Sequence, residues 1–144
     1  METQSTYDER SLVLKEIKQY IERKDPSIHV NLYKRSVLRV QKGKAHLEVQ
    51  LWIYKKDPSF YMGANGDDDE AKRVLMNIFH VNEELIKKQT GYTFKVNGRK
   101  ENYIETLIPY DKSKTLEEQV GIFATEYMKL ISVFRNLVSK FKGN

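Results

Sequence analysis

The residues that come closest to a catalytic motif lie in the stretch 44–57. There, Glu48-Val49-Gln50 has the outline of the Glu-x-Lys strand of metal-dependent nucleases, with glutamine where the lysine belongs. That chemistry needs several oxygen ligands around Mg²⁺ and a nearby cation. No acid lies between Asp25 and Glu48 to supply a second ligand from the preceding strand. We therefore interpret Glu48 as a solvent-facing strand residue opposite basic partners and predict no catalytic activity, with a degenerate nuclease as an alternative.

Two other groups of polar residues have the right chemistry for a metal, but their spacing favours simpler roles. The acidic run at residues 65–70 lacks the alternating ligands and central glycine of a calcium loop, and it fits the start of a helix. His29, His46 and His80 include no pair at i and i+4. No phosphate-binding or dinucleotide-binding glycine motif is present. We predict neither a metal site nor a cofactor.

Basic residues interleaved with aromatic residues are the strongest functional signal. Residues 34–56 hold seven basic residues and one acid, within a chain of net charge +5. On an exposed sheet face, aromatic rings stack on bases while cations hold phosphates. The sequence thus predicts a DNA or RNA site with phosphate contacts from Lys34, Arg35, Arg39, Lys42, Lys44, Lys55 and Lys56, and with stacking by Trp52 and Tyr54.

The same pattern fits two other interpretations. Lysines on edge strands prevent aggregation between sheets, and an exposed Trp52 and Tyr54 are typical of a protein interface, including that of a homodimer. The exposure of Trp52 separates these hypotheses. An exposed ring beside lysines favours nucleic acid, whereas a ring buried by its own chain is expected to rule out both binding roles.

Composition and length place the chain among single-domain globular proteins, so we treat residues 1–144 as one domain. Its apolar fraction of 40%, with nine Tyr, six Phe and one Trp, is enough for a core. The absence of cysteine excludes disulfides and thiolate chemistry. The polar N-terminus does not resemble a signal peptide, and no apolar run of about 18 residues predicts a membrane span. We expect a soluble, cytoplasmic protein that does not bind a membrane.

In the first half of the chain, the hydrophobic periods predict one helix and then three strands. Ser11 or Asp8 is expected to cap the helix, whose apolar stripe starts at Leu12, and Asp25-Pro26 ends it. Strands are expected at 28–34, at 36–42 and in the alternating stretch at 44–57. Gly43 lies in the turn of the hairpin that joins the last two strands.

In the second half, the stretch 57–70 is interpreted as a loop that leads into a helix ending at Gly91. Asn97-Gly98 predicts a type I′ hairpin turn between strands at 92–96 and 102–108. Thr115 and Glu118 form the pattern of a capping box at the start of a last helix. We therefore predict an α+β domain in the order α-β-β-β-α-β-β-α, with about five antiparallel strands and helices on one face.

Four stretches in this order resemble an uncharacterised bacterial and archaeal domain that commonly follows a PD-(D/E)xK nuclease-like domain. The resemblance spans about residues 28 to 138 and rests on AHLEVQLWIYKKD, EAKRVLMNIFHVNEELIKKQTG, YTFKVNGRKENYIETLIPY and EEQVGIFATEYMKLISVFRNLV. It implies a restriction or phage-defence context, with this domain as the non-catalytic module. Asn102-Tyr103-Ile104-Glu105 departs from that family, where a Ser-Arg-Ile-like strand is usual. With no nuclease domain in front of it, such a module is expected to bind a partner or a nucleic acid.

Overall fold

The computed structural model describes residues 4–42, 47–57, 59–98 and 102–142. This part of the chain folds as an α+β domain, as predicted, with three helices and six strands. In chain order the elements are α1 (Gln4–Lys24), β1 (Asn31–Tyr33), β2 (Val37–Lys42), β3 (Leu47–Ile53), β4 (Phe60–Gly66), α2 (Asp69–Thr90), β5 (Lys95–Asn97), β6 (Tyr103–Ile108) and α3 (Leu116–Lys142). None of the helices described is both long enough and apolar enough to cross a membrane.

The strands form one antiparallel sheet in the order β1-β2-β3-β4-β6-β5. Its inner face carries the apolar half of each strand, such as Leu38, Leu51 and Met62, which lie side by side across β2, β3 and β4. Buried residues of all three helices join this face in one hydrophobic core. α3 is held at the centre of that core, where the hydroxyl of Tyr127 donates to the carbonyl of Val49 at 2.6 Å. The other, outer face of the sheet is left uncovered by the helices.

Strand β4 corrects the interpretation of residues 57–70 as a loop. It lies near the middle of the sheet, between β3 and β6. Its residues do alternate, with Phe60, Met62 and Ala64 buried in the core, but the glycines conceal this period because glycine is depleted in strands. Gly63 is required here, since a Cβ atom at that position would lie 1.8 Å from the carbonyl oxygen of Ile104 on β6.

Helix ends follow the predicted capping chemistry at three of the four positions tested. Asp68 caps α2 by accepting a hydrogen bond from the backbone of Ala71 at 2.8 Å. Gly91 ends α2 in the left-handed conformation, with φ of 83°. Thr115 and Glu118 form the expected reciprocal pair at the start of α3, at 3.1 and 2.8 Å.

The start of α1 was predicted wrongly. Neither Ser11 nor Asp8 caps the helix, because α1 already runs from Gln4 and contains both. Leu12, expected on the apolar stripe, is 44% exposed. Ser11 instead donates to the backbone carbonyl of Arg35 at 2.6 Å. The polar residues in the first turns of α1 therefore support another part of the chain.

Of the two predicted hairpin turns, the one at Asn97-Gly98 needs correction. Gly98 has a positive φ of 96°, but Asn97 does not, and Asn97 pairs with Tyr103 as the last residue of β5. This is therefore not the two-residue type I′ turn that Asn97-Gly98 predicts. The turn at Gly43 lies outside the described residues.

Candidate nucleic-acid interface

Trp52 points to the outer face of the sheet, as its alternation predicts, but the expectation that it is exposed is wrong. Only 7% of its surface is exposed. Tyr61 on β4 stacks against it with ring centroids 5.9 Å apart, and Tyr103 on β6 approaches edge-on at 6.4 Å. The ring is therefore occupied by its own chain. Trp52 is neither a platform for a base nor an interface anchor. Both binding hypotheses therefore fail in the form that relies on Trp52, and a binding role has to be argued from other residues.

Glu48 lies on the same outer face among polar neighbours. The side chain of Gln50 donates to its carboxylate at 2.9 Å, and the guanidinium of Arg39 on β2 lies 3.8 Å away. Arg39 is thus a basic neighbour on the diagonal, as is usual for a strand residue, while the residue directly opposite Glu48 is Gln41. Within the ranges described, no group of three His, Asp or Glu side chains is arranged to hold a metal ion.

The seven predicted phosphate-binding residues do not form one patch. Lys34 and Arg35 precede β2, while Lys55 and Lys56 follow β3, so the antiparallel register brings these four to one end of the β2–β3 hairpin. The backbone of Ile53 donates to that of Ser36 at 3.0 Å and closes this end. We call Lys34, Arg35, Lys55 and Lys56 the basic corner. All four are exposed.

Two of the other predicted residues lie further along β2. Arg39 is halfway along β2 on the outer face, with its guanidinium 4.4 Å from the centre of the Tyr33 ring. Lys42 ends β2, five residues beyond its first residue, which at about 3.3 Å per residue is roughly 17 Å from the corner. Lys44 lies outside the described residues. Among the described residues, four of the predicted cations therefore share this end of the hairpin. Arg39 lies next to it, since the ammonium of Lys34 is 5.2 Å from the centre of the same Tyr33 ring.

The turn that carries half of the corner has an unusual backbone. Lys34 and Arg35 both have positive φ, 52° and 70°, and the N–H of Ser36 donates to the carbonyl of Tyr33 at 3.1 Å. Two central residues with positive φ are the mark of a type I′ turn, in which Asn and Gly are preferred. For residues with a Cβ this left-handed conformation costs about 1–2 kcal/mol each. Two long cationic side chains thus stand where the backbone favours small residues.

Contacts from α1 hold the corner in place. The ring of Tyr7 is buried, and three cations lie over it at 5.5 to 6.0 Å from its centre: Arg10, Arg35 and Lys55. Arg10 is fully buried, and its guanidinium donates to the backbone carbonyl of Tyr54 at 3.0 Å. α1 is therefore tied both to the turn after β1 and to the end of β3.

Sequence reasoning missed Tyr7 and Arg10, although one signal was available. Arg10 precedes Leu14 by four residues and Ile17 by seven, which places it on the buried stripe of α1. A charged residue at such a position must have polar partners inside the fold. Its partner here is the end of β3, where the corner begins.

Two acids lie beside the corner and reduce its positive charge only in part. Asp8 is 2.6 Å from the guanidinium of Arg35, with both side chains at least half exposed. Asp57, in the loop after Lys56, accepts a hydrogen bond from the hydroxyl of Tyr61. That hydrogen bond is the main reason that the pKa of Asp57 is lowered and that of Tyr61 is raised to about 12. Four exposed cations and one buried one therefore outnumber two acids.

Two aromatic rings remain accessible next to the corner. Tyr54, directly before Lys55, is 47% exposed, and Tyr33, directly before Lys34, is 43% exposed. Tyr54 meets Tyr61 edge-on with centroids 5.3 Å apart, so its ring is oriented by the outer-face aromatic cluster but keeps open surface. The predicted stacking role of Tyr54 is thus compatible with its position.

Comparison of the chain with protein-family models, with curated proteins and with solved structures found no match. The resemblance to the domain that follows nuclease-like domains therefore stays a prediction. The function has to be argued from the site itself.

Proposed function

We propose that this protein is a non-catalytic nucleic-acid-binding module that holds a single strand at its basic corner. The observation that carries the proposal is the convergence of Lys34, Arg35, Lys55 and Lys56 from two connections onto one end of a hairpin, all exposed. Exposed cations at such a site neutralise phosphates and release counterions, which drives binding without regard to sequence.

A single strand fits this corner better than a duplex. Tyr54 is half exposed beside the cations, and an aromatic ring gains most from bases that are free to stack on it. In a duplex the bases are already stacked on one another. The phosphate contacts would then fall to Lys55 and Lys56 on one side of Tyr54 and to Lys34 and Arg35 on the other.

The backbone of the turn also supports a functional corner. Strained conformations persist where the surrounding structure enforces them, and they concentrate at binding sites. Lys34 and Arg35 are such a case, since Asn or Gly at either position would suit the left-handed backbone better. Under this proposal, the two cations are kept at this point for phosphate binding, at the expense of turn propensity.

The cellular setting of the module is a further part of the proposal. We place it in the cytoplasm, where nucleic acid is accessible. The chain has no cysteine, which is compatible with a compartment in which disulfides are rare. A restriction or phage-defence role rests only on the resemblance of its four stretches to the nuclease-associated domain.

Binding of a labelled oligothymidylate of about 20 nucleotides, followed by fluorescence anisotropy across a salt series, tests the proposal. Four phosphate contacts predict a slope of log K against log salt of about −3 for a single strand. The double variant K55Q/K56Q should halve that slope and weaken binding roughly 20-fold at about 0.1 M salt. A duplex of the same length should bind more weakly than the single strand.

A matched control is K87Q/K88Q, which removes the other adjacent pair of exposed lysines, in the last turn of α2. Neighbouring Gln89 lies with Lys24 at the far end of α1, about 20 Å along the helix from Arg10. This control should bind like the unmodified protein. An equal loss in both double variants, or no binding at low salt, would contradict the proposal.

A further inference from the structure

A groove runs between α1 and β1, the strand at one edge of the sheet. It consists of two open cavities of about 650 and 250 Å³ that share Lys15 and Leu32 as lining residues. The larger one extends to Glu22 and His29, and the smaller one to Leu12. Leu12 is 44% exposed although it is a large apolar residue on a helix that packs against the core. We call this the edge groove.

The backbone of β1 faces the edge groove with polar groups that the sheet does not use. The carbonyl of Tyr33 accepts from Ser36, so the polar groups of Tyr33 point towards β2. Because successive strand residues direct their N–H and C=O to opposite sides, those of Leu32 point away from β2, into the groove. Val30 follows the same alternation, and its N–H donates across the groove to the carboxylate of Glu22 at 3.2 Å.

We infer that the edge groove binds an extended acidic peptide of a partner protein, which adds a strand next to β1. One residue of such a peptide would exchange two hydrogen bonds with Leu32, as in other cases of strand addition. Because directly opposed residues share one face of a sheet, the peptide side chain opposite Leu32 would lie on the side of α1, near Lys15. The edge groove adjoins the basic corner, because Arg35 also lines the smaller cavity, but the inference does not require that the protein bind nucleic acid.

The charges that line the edge groove favour a peptide with acidic side chains. Both acids that line it already have cationic partners, since Glu22 pairs with Lys18 at 2.8 Å and Asp8 with Arg35 at 2.6 Å. Lys15, at the centre, makes no ion pair with another described residue and is exposed. Glutamate or aspartate on the peptide would therefore find a cation. A second copy of this chain is disfavoured because it would bring its own Lys15 to the same seam.

The inference is tested by titrating the full-length ¹⁵N-labelled protein with the peptide Ac-Glu-Val-Glu-Val-Glu-NH₂. A strand this short is expected to bind with a Kd of about 1 mM, so the series extends to about 5 mM. Saturable shifts of the backbone amides of Asn31, Leu32 and Tyr33 are expected. The same peptide with an N-methyl group on its central residue lacks the donor for the Leu32 carbonyl, so it should bind at least about tenfold more weakly.

Variants separate the groove from general attraction of an acid to a basic protein. K15E should weaken binding at least about threefold, whereas K112E, which changes an exposed lysine before α3, should not. Shifts confined to Lys55 and Lys56, equal binding of the N-methylated peptide, or pairing of two copies through β1 in solution would each overturn the inference.

Discussion

Two connections in the sheet show opposite relations between sequence and backbone. Asn97-Gly98 has the preferred residues for a type I′ turn, yet only Gly98 has a positive φ. Lys34-Arg35 has unfavourable residues, yet both have positive φ. The connection with the better local signal thus lacks the predicted turn, and the one with the poorer signal has the backbone conformation that such a turn requires.

The difference lies in long-range contacts. The side chain of Asn97 is used across the hairpin, where it donates to the carboxylate of Glu105 at 2.7 Å, and this keeps Asn97 within β5. Arg35 is held from outside the turn. Its carbonyl accepts from Ser11 at 2.6 Å and its guanidinium contacts Asp8 at 2.6 Å. Contacts with α1 therefore stabilise a turn conformation that its own residues disfavour.

The largest expected effect comes from removing the buried link between α1 and the corner. Replacing Arg10 by Met deletes a fully buried guanidinium and the hydrogen bond to the Tyr54 carbonyl. Loss of a hydrogen bond from a charged donor, which leaves the Tyr54 carbonyl without this partner, costs about 2 kcal/mol. Chemical denaturation should show this loss of unfolding free energy, together with weaker oligonucleotide binding although Arg10 itself is not exposed.

The matched control for R10M is R73M, since Arg73 is exposed on α2. It should change the unfolding free energy by no more than about 0.5 kcal/mol. If R10M were as mild as R73M, α1 would not be what holds the strained turn, and the contrast between the two connections would need another cause.

How far the sequence predicts this molecule follows from the same contrast. Caps and alternation depend on neighbours in the chain, so the ends of α2 and the inner face of β3 were predicted correctly. The missed strand β4 then led to the wrong exposure of Trp52, because Tyr61, which stacks on it, belongs to that strand. The chain pattern grouped seven cations, but hairpin geometry separates Lys42 from Lys55. Pairing between distant segments is what single-sequence patterns do not contain.

Glycine exchanges at the two connections should have opposite effects on stability. K34G relieves a left-handed residue that has a Cβ and should raise the unfolding free energy by about 1 kcal/mol. G98A forces a Cβ into a residue with φ of 96°, close to the side chain of Asn102, and should lower it by about 1 kcal/mol. Thermal or chemical unfolding of the two variants measures this difference.

The same pair separates strain from function. K34G also removes one phosphate contact, so it should bind the oligothymidylate about fivefold more weakly at about 0.1 M salt while being more stable. G98A should leave binding unchanged. A K34G protein that is more stable and binds equally well would show that the strained turn does not serve the proposed nucleic-acid site.

The loop with Lys55 and Lys56 is held by a hydrogen bond, which makes its stability depend on pH. The hydrogen bond between Tyr61 and Asp57 lowers the pKa of Asp57 and raises that of Tyr61 to about 12. The contribution of this hydrogen bond to the unfolding free energy is therefore lost as the pH falls below the usual aspartate range. It is lost again as the pH rises from about 10 towards 12. Y61F should flatten both flanks of the stability–pH curve, with a loss of about 1 kcal/mol or less at neutral pH. Unchanged flanks would contradict this role.

The smallest effect on stability, but an informative one for binding, is expected from D8N. Both partners of the Asp8–Arg35 pair are at least half exposed, so the unfolding free energy should change by no more than about 0.5 kcal/mol. Asp8 nevertheless occupies the guanidinium that a phosphate would use. Its neutralisation should strengthen oligothymidylate binding by up to about fivefold and make the salt slope steeper. Weaker binding by D8N would mean that Asp8 positions Arg35 for the phosphate rather than competing with it. In that case the double variant D8N/R35Q, which lacks the pair, would bind the oligothymidylate no better than R35Q alone.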